Sequence, residues 1–279
     1  MEKSTKKYNN NVHLHGFVNG VRMNGTDSGK TAINLDVCTL ESYRDKEGKP
    51  QNKRTYHDVV MYTDDKKLVK TYEKLAAACE KNRENKDVKD FKPEIHSVSL
   101  DGILVSKKDN NFQVLVGSDK IQLDVKQADR EVRNRAEIVG NIASINVYPD
   151  KNFATASIAN HYRPEGAKES IDTFVPIRIS GDRKFSQPTF EALKKGELEV
   201  GDFIRVRGQI HNNNFEGENG TRYGMAIDVT SSELIYKKGA KQEQKAEAKK
   251  GQKTEKKPAQ KAAPAQKATP KRKPAMKMG

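Results

Sequence analysis

The chain reads HLHGFV at residues 13–18 and EIVGNI at residues 137–142, and each stretch places a glycine inside a strand pattern. Each stretch opens a longer segment, 12–127 and 136–236, in which the same patterns follow in the same order. A repeat of about 100 residues is longer than a solenoid unit, so it indicates a duplicated domain. The glycine predicts a bulge or a close approach of two backbones, which a small barrel needs where a strand bends.

Both segments predict five strands with one helix between the third and the fourth. In the first segment these elements fall at residues 12–18, 31–40, 55–62, 66–81, 96–105 and 111–117. In the second segment they fall at residues 137–147, 153–161, 171–179, 188–195, 203–211 and 221–229. This is the element order of the OB-fold, a small, partly open Greek-key barrel. The sequence therefore predicts an all-β chain with one short helix per domain, built as two tandem OB-fold barrels.

The basic charge of the chain is concentrated at its C-terminal end. The net charge is +14, and from Lys237 onward 15 Lys and Arg accompany 3 Glu, which leaves +2 for residues 1–236. The end segment consists mainly of Lys, Ala, Gln, Pro and Glu and lacks the apolar residues that would offset the entropy of ordering, so we predict that it is disordered. A charge asymmetry of this kind indicates a polyanionic partner. The predicted parts are a flexible N-terminus, a first barrel, a linker, a second barrel and a tail, at residues 1–11, 12–127, 128–135, 136–236 and 237–279.

Aromatic and basic residues occur together at strand ends and at hairpin tips. In the first copy Tyr43 and Arg44 end a strand, and Arg54 and Tyr56 begin the next. Aromatic faces stack on bases of any sequence, with about 1–3 kcal/mol per base, and neighbouring cations neutralise phosphates. The alternative is that these rings are ordinary core residues. Their position beside charged residues favours a binding role for the set.

Three stretches resemble the bacterial single-stranded-DNA-binding protein family. LESYRDKEG at 40–48 resembles the segment around its second strand, and RTYHDVVMY at 54–62 resembles its Thr-x-aromatic-His-x-Val-Val-x-aromatic run. GDFIRVRGQI at 201–210, followed by Phe215 and TRY at 221–223, resembles its last hairpin. The resemblance covers about 12–127 and 136–236, and it implies a chain with two copies of the family's domain.

The resemblance also implies which residues would contact nucleic acid. In that family the aromatics at these points stack on bases, and the set here is Tyr43, Tyr56, Tyr62, Phe112, Tyr162, Phe174 and Phe215, with Tyr223 beside them. The predicted phosphate contacts are Arg44, Lys53, Arg54, Arg163, Arg178, Arg205, Arg207 and Arg222. Family members with one barrel per chain commonly form tetramers, so a homodimer of this chain would supply four barrels, and a monomer is the alternative.

The chain departs from the family pattern in three ways. The stacking positions hold Tyr and Phe where the family often has Trp, which predicts weaker stacking per base. The second copy has Val175 and Ser180 where the first has His57 and Tyr62. The family usually ends in an acidic tip with a terminal Pro-Phe that recruits partner enzymes, whereas this chain ends in KRKPAMKMG at 271–279. We therefore expect no recruitment of partners by that route, and we expect the basic tail to contact the nucleic-acid backbone.

Other classes of protein find little support in the sequence. GTDSGKT at 25–31 has one residue too few for a phosphate-binding loop and leads into a strand, so it predicts a hairpin turn. His13 and His15 share a strand face without a third metal ligand nearby. Cys38 and Cys79 have no CxxC spacing, which predicts two buried, reduced thiols. No apolar run is long enough to span a bilayer. We therefore predict no catalytic activity, no metal, no cofactor and no membrane partner.

The predicted function is sequence-independent binding and protection of single-stranded DNA in replication, recombination or repair. RNA is a second candidate ligand, and the expected location is the cytoplasm, associated with the nucleoid. The alternative is a protein-interaction scaffold of a replication or recombination complex, in which the barrels contact proteins and mainly the basic tail contacts nucleic acid.

Overall fold

In the computed structural model, the described residues are 8–44, 47–107, 112–125, 134–163, 169–212, 215–217, 220–222 and 224–238. The predicted linker lies largely outside these ranges, and the predicted disordered tail lies outside them except for its first two residues. Residues 1–238 form one compact unit. Within it, strands predominate and each copy contains one α-helix.

The first copy is a closed five-stranded barrel with one helix. Its elements are β1 Asn9–Gly25, β2 Thr31–Arg44, β3 Pro50–Thr63, α1 Lys66–Glu84, β4 Ser97–Ser106 and β5 Phe112–Leu123. The strands follow the order β1-β2-β3-β5-β4 and return to β1, with β3 and β5 parallel and the other pairs antiparallel. This is the OB-fold order, and the predicted fold class is confirmed for this copy.

The second copy repeats the arrangement. Its elements are β6 Asn134–Tyr148, β7 Phe153–Tyr162, β8 Ile171–Ser180, α2 Gln187–Lys194, β9 Phe203–Asn212, β10 Phe215–Gly217, β11 Gly220–Arg222 and β12 Met225–Tyr236. The order is β6-β7-β8-β12-β9 with return to β6, and β8 and β12 are parallel. The short hairpin β10–β11 lies between the fourth and fifth barrel strands and has no described counterpart in the first copy.

The glycine that marks each repeat lies where two strands meet closely. A Cβ added at Gly16 would run into the carbonyl oxygen of Cys38, and one added at Gly140 would run into that of Ala159. The first strand of each barrel also has a register shift a few residues later, at 18–20 and 142–144. The predicted close approach is therefore confirmed, and the bulge follows the glycine.

The two barrels share one ten-stranded sheet because β1 pairs antiparallel with β6. Asn10 lies opposite Ile138 in this pairing, and Leu14 lies opposite Asn134. Asn10 and Asn134 occupy equivalent positions, and each uses its side-chain amide to bond both backbone groups of one residue on the fourth strand, Leu104 or Ile210. The junction is thus reciprocal between the copies, as in an isologous interface. The sequence pattern did not predict this pairing.

The helices differ in length. The side chain of Asp65 accepts hydrogen bonds from the backbone N–H groups of Lys67 and Leu68 and so caps α1. Tyr72, Leu75 and Cys79 are the buried face of this helix. The helix has 19 residues and ends at Glu84, three residues beyond the predicted end, whereas α2 has eight residues.

Candidate functional site

The third strand of each barrel carries an exposed ring at the same register position. Tyr56 lies opposite Cys38, and Phe174 lies opposite Ala159, the two residues whose carbonyls meet the repeat glycines. The Tyr56 ring is 39% exposed and the Phe174 ring is 57% exposed. Since side chains alternate along a strand, both rings point away from the barrel core. Tyr56 and Phe174 therefore occupy equivalent positions in the two copies of the domain, as the sequence predicted.

Tyr62 lies on the same face of β3 as Tyr56, six residues further on. Its side chain is 48% exposed, and the spacing places it about 20 Å from Tyr56 along the strand. Its counterpart in the second copy is Ser180, beside a cavity of about 420 Å³. The cavity is lined in part by Phe153, Arg178 and Asp228. Among the described side chains, the third strand of the second barrel therefore presents one predicted ring on its outer face, where that of the first presents two.

The two Tyr-Arg pairs at the strand ends are not equivalent. Tyr43 lies five residues beyond Cys38, and Tyr162 lies three residues beyond Ala159, because β2 extends further past the barrel than β7 does. Both rings lie on the strand face opposite to that of Tyr56. Tyr43 is 50% exposed, and Tyr162 is partly buried. The comparison of the two segments paired Tyr43 with Tyr162. The strand register shows that these residues are two positions apart in the aligned barrels.

Phe112 is a core residue. The sequence predicted that its ring lies at a hairpin tip and stacks on a base, but the side chain is fully buried in the barrel core. The register of the fourth and fifth strands makes Met225 its counterpart, and Met225 is also buried. A ring without exposure cannot stack on a base, so Phe112 contributes to barrel stability.

Four of the predicted phosphate contacts are exposed around the end of the second strand and the beginning of the third. Arg44 donates a hydrogen bond to the carbonyl of Gly48. Lys53 and Arg54 are exposed on β3, and neither is paired with a carboxylate in the described part of the chain. Arg163 is exposed at the end of β7. Three of these four cations belong to the first copy.

The other predicted cations with described side chains are paired with carboxylates. Arg207 and Arg205 both approach Glu137, and Arg205 also pairs with Glu233. Burial alone would raise the pKa of Glu137, but hydrogen bonds from Arg207 and Asn9 and the two guanidinium charges bring it below its usual value. These cations therefore serve the ion pairs of the second barrel and are less available to phosphates.

Arg178 lies 3.2 Å from the carboxylate of Asp228, which is nearly buried, and Arg183 approaches the same group at 3.6 Å. The two guanidinium groups share one negative charge beside the cavity near Ser180. The remaining predicted residues of this copy are Phe215, Arg222 and Tyr223. Their side chains lie outside the described part of the structure, although the backbone of β10 and β11 is described.

Two exposed rings were not predicted. Phe185 is 75% exposed just before α2, and Tyr148 is 41% exposed at the end of β6. Tyr148 stacks on Phe153 with ring centroids 4.7 Å apart and planes at 20°. Neither ring belongs to a motif that is repeated in the first copy, so the comparison of the two segments gave no signal for them.

His57 lies inside the junction between the barrels. Its Nε2 atom is 2.8 Å from the hydroxyl of Thr39, and the side chain is 1% exposed. Burial, reinforced by the neighbouring His211, lowers the pKa of His57 from 6.5 to about 3. Burial and the charge of Lys53 likewise lower the pKa of His211, whose Nδ1 atom lies 3.4 Å from the hydroxyl of Thr55. The two rings are therefore neutral structural groups at neutral pH.

The described residues hold no group of three His, Cys, Asp or Glu side chains placed to bind a metal ion. Across the same residues, no helix is both long and apolar enough to cross a membrane. Cys38 and Cys79 are free and buried, as predicted, and burial raises the pKa of both thiols.

The fold is similar to that of known single-stranded DNA binding proteins. The wild-type protein from Thermus aquaticus matches with a TM-score of 0.51 at 16% sequence identity, over 84% of this chain and 96% of that chain. A deletion mutant of the same protein matches with a TM-score of 0.52 at 16% identity, over 84% of this chain and 97% of that chain. No protein-family model matches the chain, and no curated protein sequence matches it.

This similarity extends over both barrels. Because each comparison covers 84% of this chain, more than one barrel could account for, both copies are included in the match. The resemblance drawn from the sequence is therefore confirmed at the level of the fold. At this sequence identity it establishes the tandem OB-fold architecture, and the site has to be argued from the residues of this chain.

Proposed function

We propose that this chain binds single-stranded DNA without sequence preference and protects it during replication, recombination or repair. The observation that carries the proposal is the exposure of Tyr56 and Phe174 at one equivalent position of the two barrels. An exposed ring repeated at the same position of two barrels supplies two flat faces on which unpaired bases can stack. The similar fold of the Thermus aquaticus proteins supports the same ligand class.

The chemistry of the first copy fits an unpaired strand. Tyr56 offers a flat face for a base, and Arg54, two residues away on the same face of β3, can neutralise a phosphate beside it. A duplex keeps its base faces stacked on each other, so it would gain only the electrostatic part of this interaction. The proposal includes no catalytic step, and it places the protein in the cytoplasm with the nucleoid.

Fluorescence-anisotropy titrations test the proposal. We expect oligo-dT to bind far more tightly than a duplex of the same length, with an affinity that falls as salt increases. The double variant Tyr56→Ala with Phe174→Ala should lose about 2–6 kcal/mol of binding free energy, since each stacked base contributes about 1–3 kcal/mol. Its melting temperature should remain near that of the unmodified chain because both rings are exposed. A matched RNA oligonucleotide measures the preference between the two nucleic acids.

A chain that ends at Lys238 separates the barrels from the basic tail. Residues 1–238 form one compact unit, and the cut keeps Lys237, which pairs with the buried carboxylate of Asp202. Survival of single-strand binding in this shortened chain supports the proposal. Complete loss of binding, with the fold intact, contradicts it and favours the alternative scaffold function, in which the barrels contact proteins.

A further inference from the structure

A large groove lies beside Tyr56 in the first copy. It has a volume of about 990 Å³, at the upper end of the range of about 300–1,000 Å³ that is typical of ligand sites. One side is the outer face of β1, β2 and β3, which contributes Arg54 and Tyr56. The other side is the end of α1 and the connection to β4, which contribute Arg83, Lys86 and Ile95. Tyr56 thus lines an open groove between the barrel and the end of the helix.

Specific contacts hold the helical side of the groove in place. The amide of Asn82 donates to the carbonyl of Glu94 and accepts from the backbone N–H of the same residue, which ties the connection to the end of α1. The thiol of Cys79 packs against the carbonyl of Val18 on β1, with 3.8 Å between sulfur and oxygen. The backbone N–H of Val18 donates to the carbonyl of His96, where the connection rejoins the barrel. The groove is therefore part of the folded barrel.

The lining combines cations with apolar surface. Arg54, Arg83 and Lys86 contribute positive charge. In the described part of the chain no carboxylate pairs with Arg54 or Arg83, while Lys86 forms an exposed, long contact of 3.9 Å with Asp87. The acidic residue of the lining, Glu94, directs its carboxylate to His96 at 3.1 Å. Ile95 is 66% exposed at the same place. Apolar surface with surplus positive charge is complementary to a nucleotide, which has a flat base and an anionic phosphate.

The described residues of the second copy form no equivalent of the helical side of the groove. Helix α2 ends at Lys194, and Gly196, with φ 72°, turns the chain directly toward β9. The backbone of Gly201 then bonds Ile142, the counterpart of Val18, so little chain separates helix and barrel. Phe174 consequently stands on an open face, whereas Tyr56 borders a groove.

We propose that the groove is an extension of the single-strand site, in which Arg83 and Lys86 contact the phosphates of nucleotides that run past Tyr56. The first copy is then the tighter-binding half of the chain. This inference rests on the proposed function and deepens it, since it adds two cations that line a groove for which the described residues of the second barrel provide no equivalent.

The test compares two pairs of charge-removing substitutions in the full chain. Arg83→Gln with Lys86→Gln removes the groove cations, and Lys194→Gln with Lys195→Gln removes two exposed cations at the end of α2. Binding to oligo-dT of about 15 nucleotides is measured by anisotropy over a range of salt, a length near the site size of one OB-fold. We expect the groove variant to lose about tenfold in affinity and its salt slope to fall by about 1.4, since each of the two phosphate contacts contributes about 0.7. The matched variant should stay within about twofold.

The parallel variants Tyr56→Ala and Phe174→Ala make the outcomes distinguishable. If the ring variants weaken binding while the two charge variants behave alike, the groove inference is wrong and the proposed function stands. If neither ring variant weakens binding, the proposed function itself is wrong. A groove variant with reduced affinity and an unchanged salt slope also contradicts the inference, because lost phosphate contacts must change the slope. Melting temperatures should not change, as all four substituted side chains are exposed.

Discussion

The two barrels agree in the features that close an OB-fold and differ in the features that face outward. Both have the repeat glycine, the Asn amide that bonds the fourth strand, and an exposed ring on the third strand. They differ in the length of the helix and in the extent to which their cations pair with carboxylates. They also differ at one position of the third strand, where the first barrel has the buried His57 and the second has Val175. Duplication has thus preserved the barrel while the outer faces diverged, and binding differences between the copies should come from those faces.

The largest expected effect tests whether Phe112 belongs to the core. Phe112→Ala removes a fully buried ring, and we expect it to lower the free energy of unfolding by about 4 kcal/mol. Met225→Ala, at the equivalent position of the second barrel, should cost about 2–4 kcal/mol for the same reason. Urea denaturation measures both effects.

Tyr43→Ala serves as the control, because that ring is half exposed, and its effect on stability should stay within about 0.5 kcal/mol. A Phe112→Ala chain with unchanged stability and lost single-strand binding would restore the stacking role that the sequence predicted.

The second prediction concerns the glycine that identifies the repeat. In Gly16→Ala and in Gly140→Ala the new methyl group meets a backbone carbonyl that cannot turn away. We expect each variant to lose about 3 kcal/mol of stability. Gly25→Ala is the control, since a Cβ there has no neighbour within 4 Å among the described atoms.

The shape of the transition adds to this comparison. Because β1 pairs with β2, β4 and β6, the Gly16 substitution should weaken both barrels and leave one cooperative transition. Two separate transitions would instead mean that the barrels unfold independently.

Period-two patterns, the repeat and the turn residues were sufficient to predict the OB-fold order of both copies. The turn at 25–31 formed as expected, with Gly29 at φ 77° and the backbone N–H of Thr26 bonded to the carbonyl of Lys30. Local pattern carries this information because alternation and turn chemistry depend on neighbouring residues. The β1–β6 pairing was missed because reciprocal contacts between distant strands leave no trace in either strand alone.

The site was predicted less completely than the fold. Tyr56 and Phe174 were identified because the repeat aligned them, and the structure leaves both exposed. Phe112 was misplaced because burial depends on strand register, which a hairpin of altered length shifts. The ion pairs of Arg205 and Arg207 depend on Glu137 across a strand pair, and that partner is not adjacent in sequence.

The third prediction uses the residue that differs at the barrel junction. His57→Val installs the residue that the second copy has at Val175. Burial lowers the pKa of the His57 imidazole from its ordinary 6.5 to about 3. Between pH 6.5 and about pH 3 the imidazole therefore binds a proton in the unfolded chain and stays neutral in the folded chain. Stability is therefore full above pH 6.5 and falls as the pH decreases toward 3. The wild-type chain should lose about 2 kcal/mol from this group between about pH 7.5 and about pH 5.

The variant should be slightly less stable at neutral pH, by about 1 kcal/mol, because the hydroxyl of Thr39 loses its partner. At about pH 5 it should equal or exceed the wild-type chain, since valine takes up no proton. Urea denaturation at both pH values gives the comparison. A constant difference between the two chains at both pH values would show that His57 does not titrate as its burial requires.

The smallest expected effect concerns two polar side-chain pairs at equivalent places, in which the carboxylate stands on opposite sides of the pair. In the first copy His96 precedes β4 and pairs with Asp124 after β5, whereas in the second copy Asp202 precedes β9 and pairs with Lys237 after β12. The carboxylate of Asp124 is mostly exposed, while that of Asp202 is buried and accepts hydrogen bonds from the backbone N–H groups of Glu199 and Lys238. The buried carboxylate should therefore contribute more.

Asp202→Asn should destabilise the chain by about 1–2 kcal/mol. The carboxylate accepts hydrogen bonds from Glu199, Lys237 and Lys238, and the NH2 group of an asparagine would face these donors without being able to accept from them. Asp124→Asn should cost less than about 0.5 kcal/mol, as exposed pairs do. Burial would raise the pKa of Asp202, but the bonds from Lys238, Glu199 and Lys237 bring it below its usual 3.8. Its contribution is therefore present above that value and disappears as the pH falls through the lowered pKa, so the cost of Asp202→Asn should shrink in acid. Equal costs for the two substitutions at neutral pH would mean that burial does not distinguish these pairs.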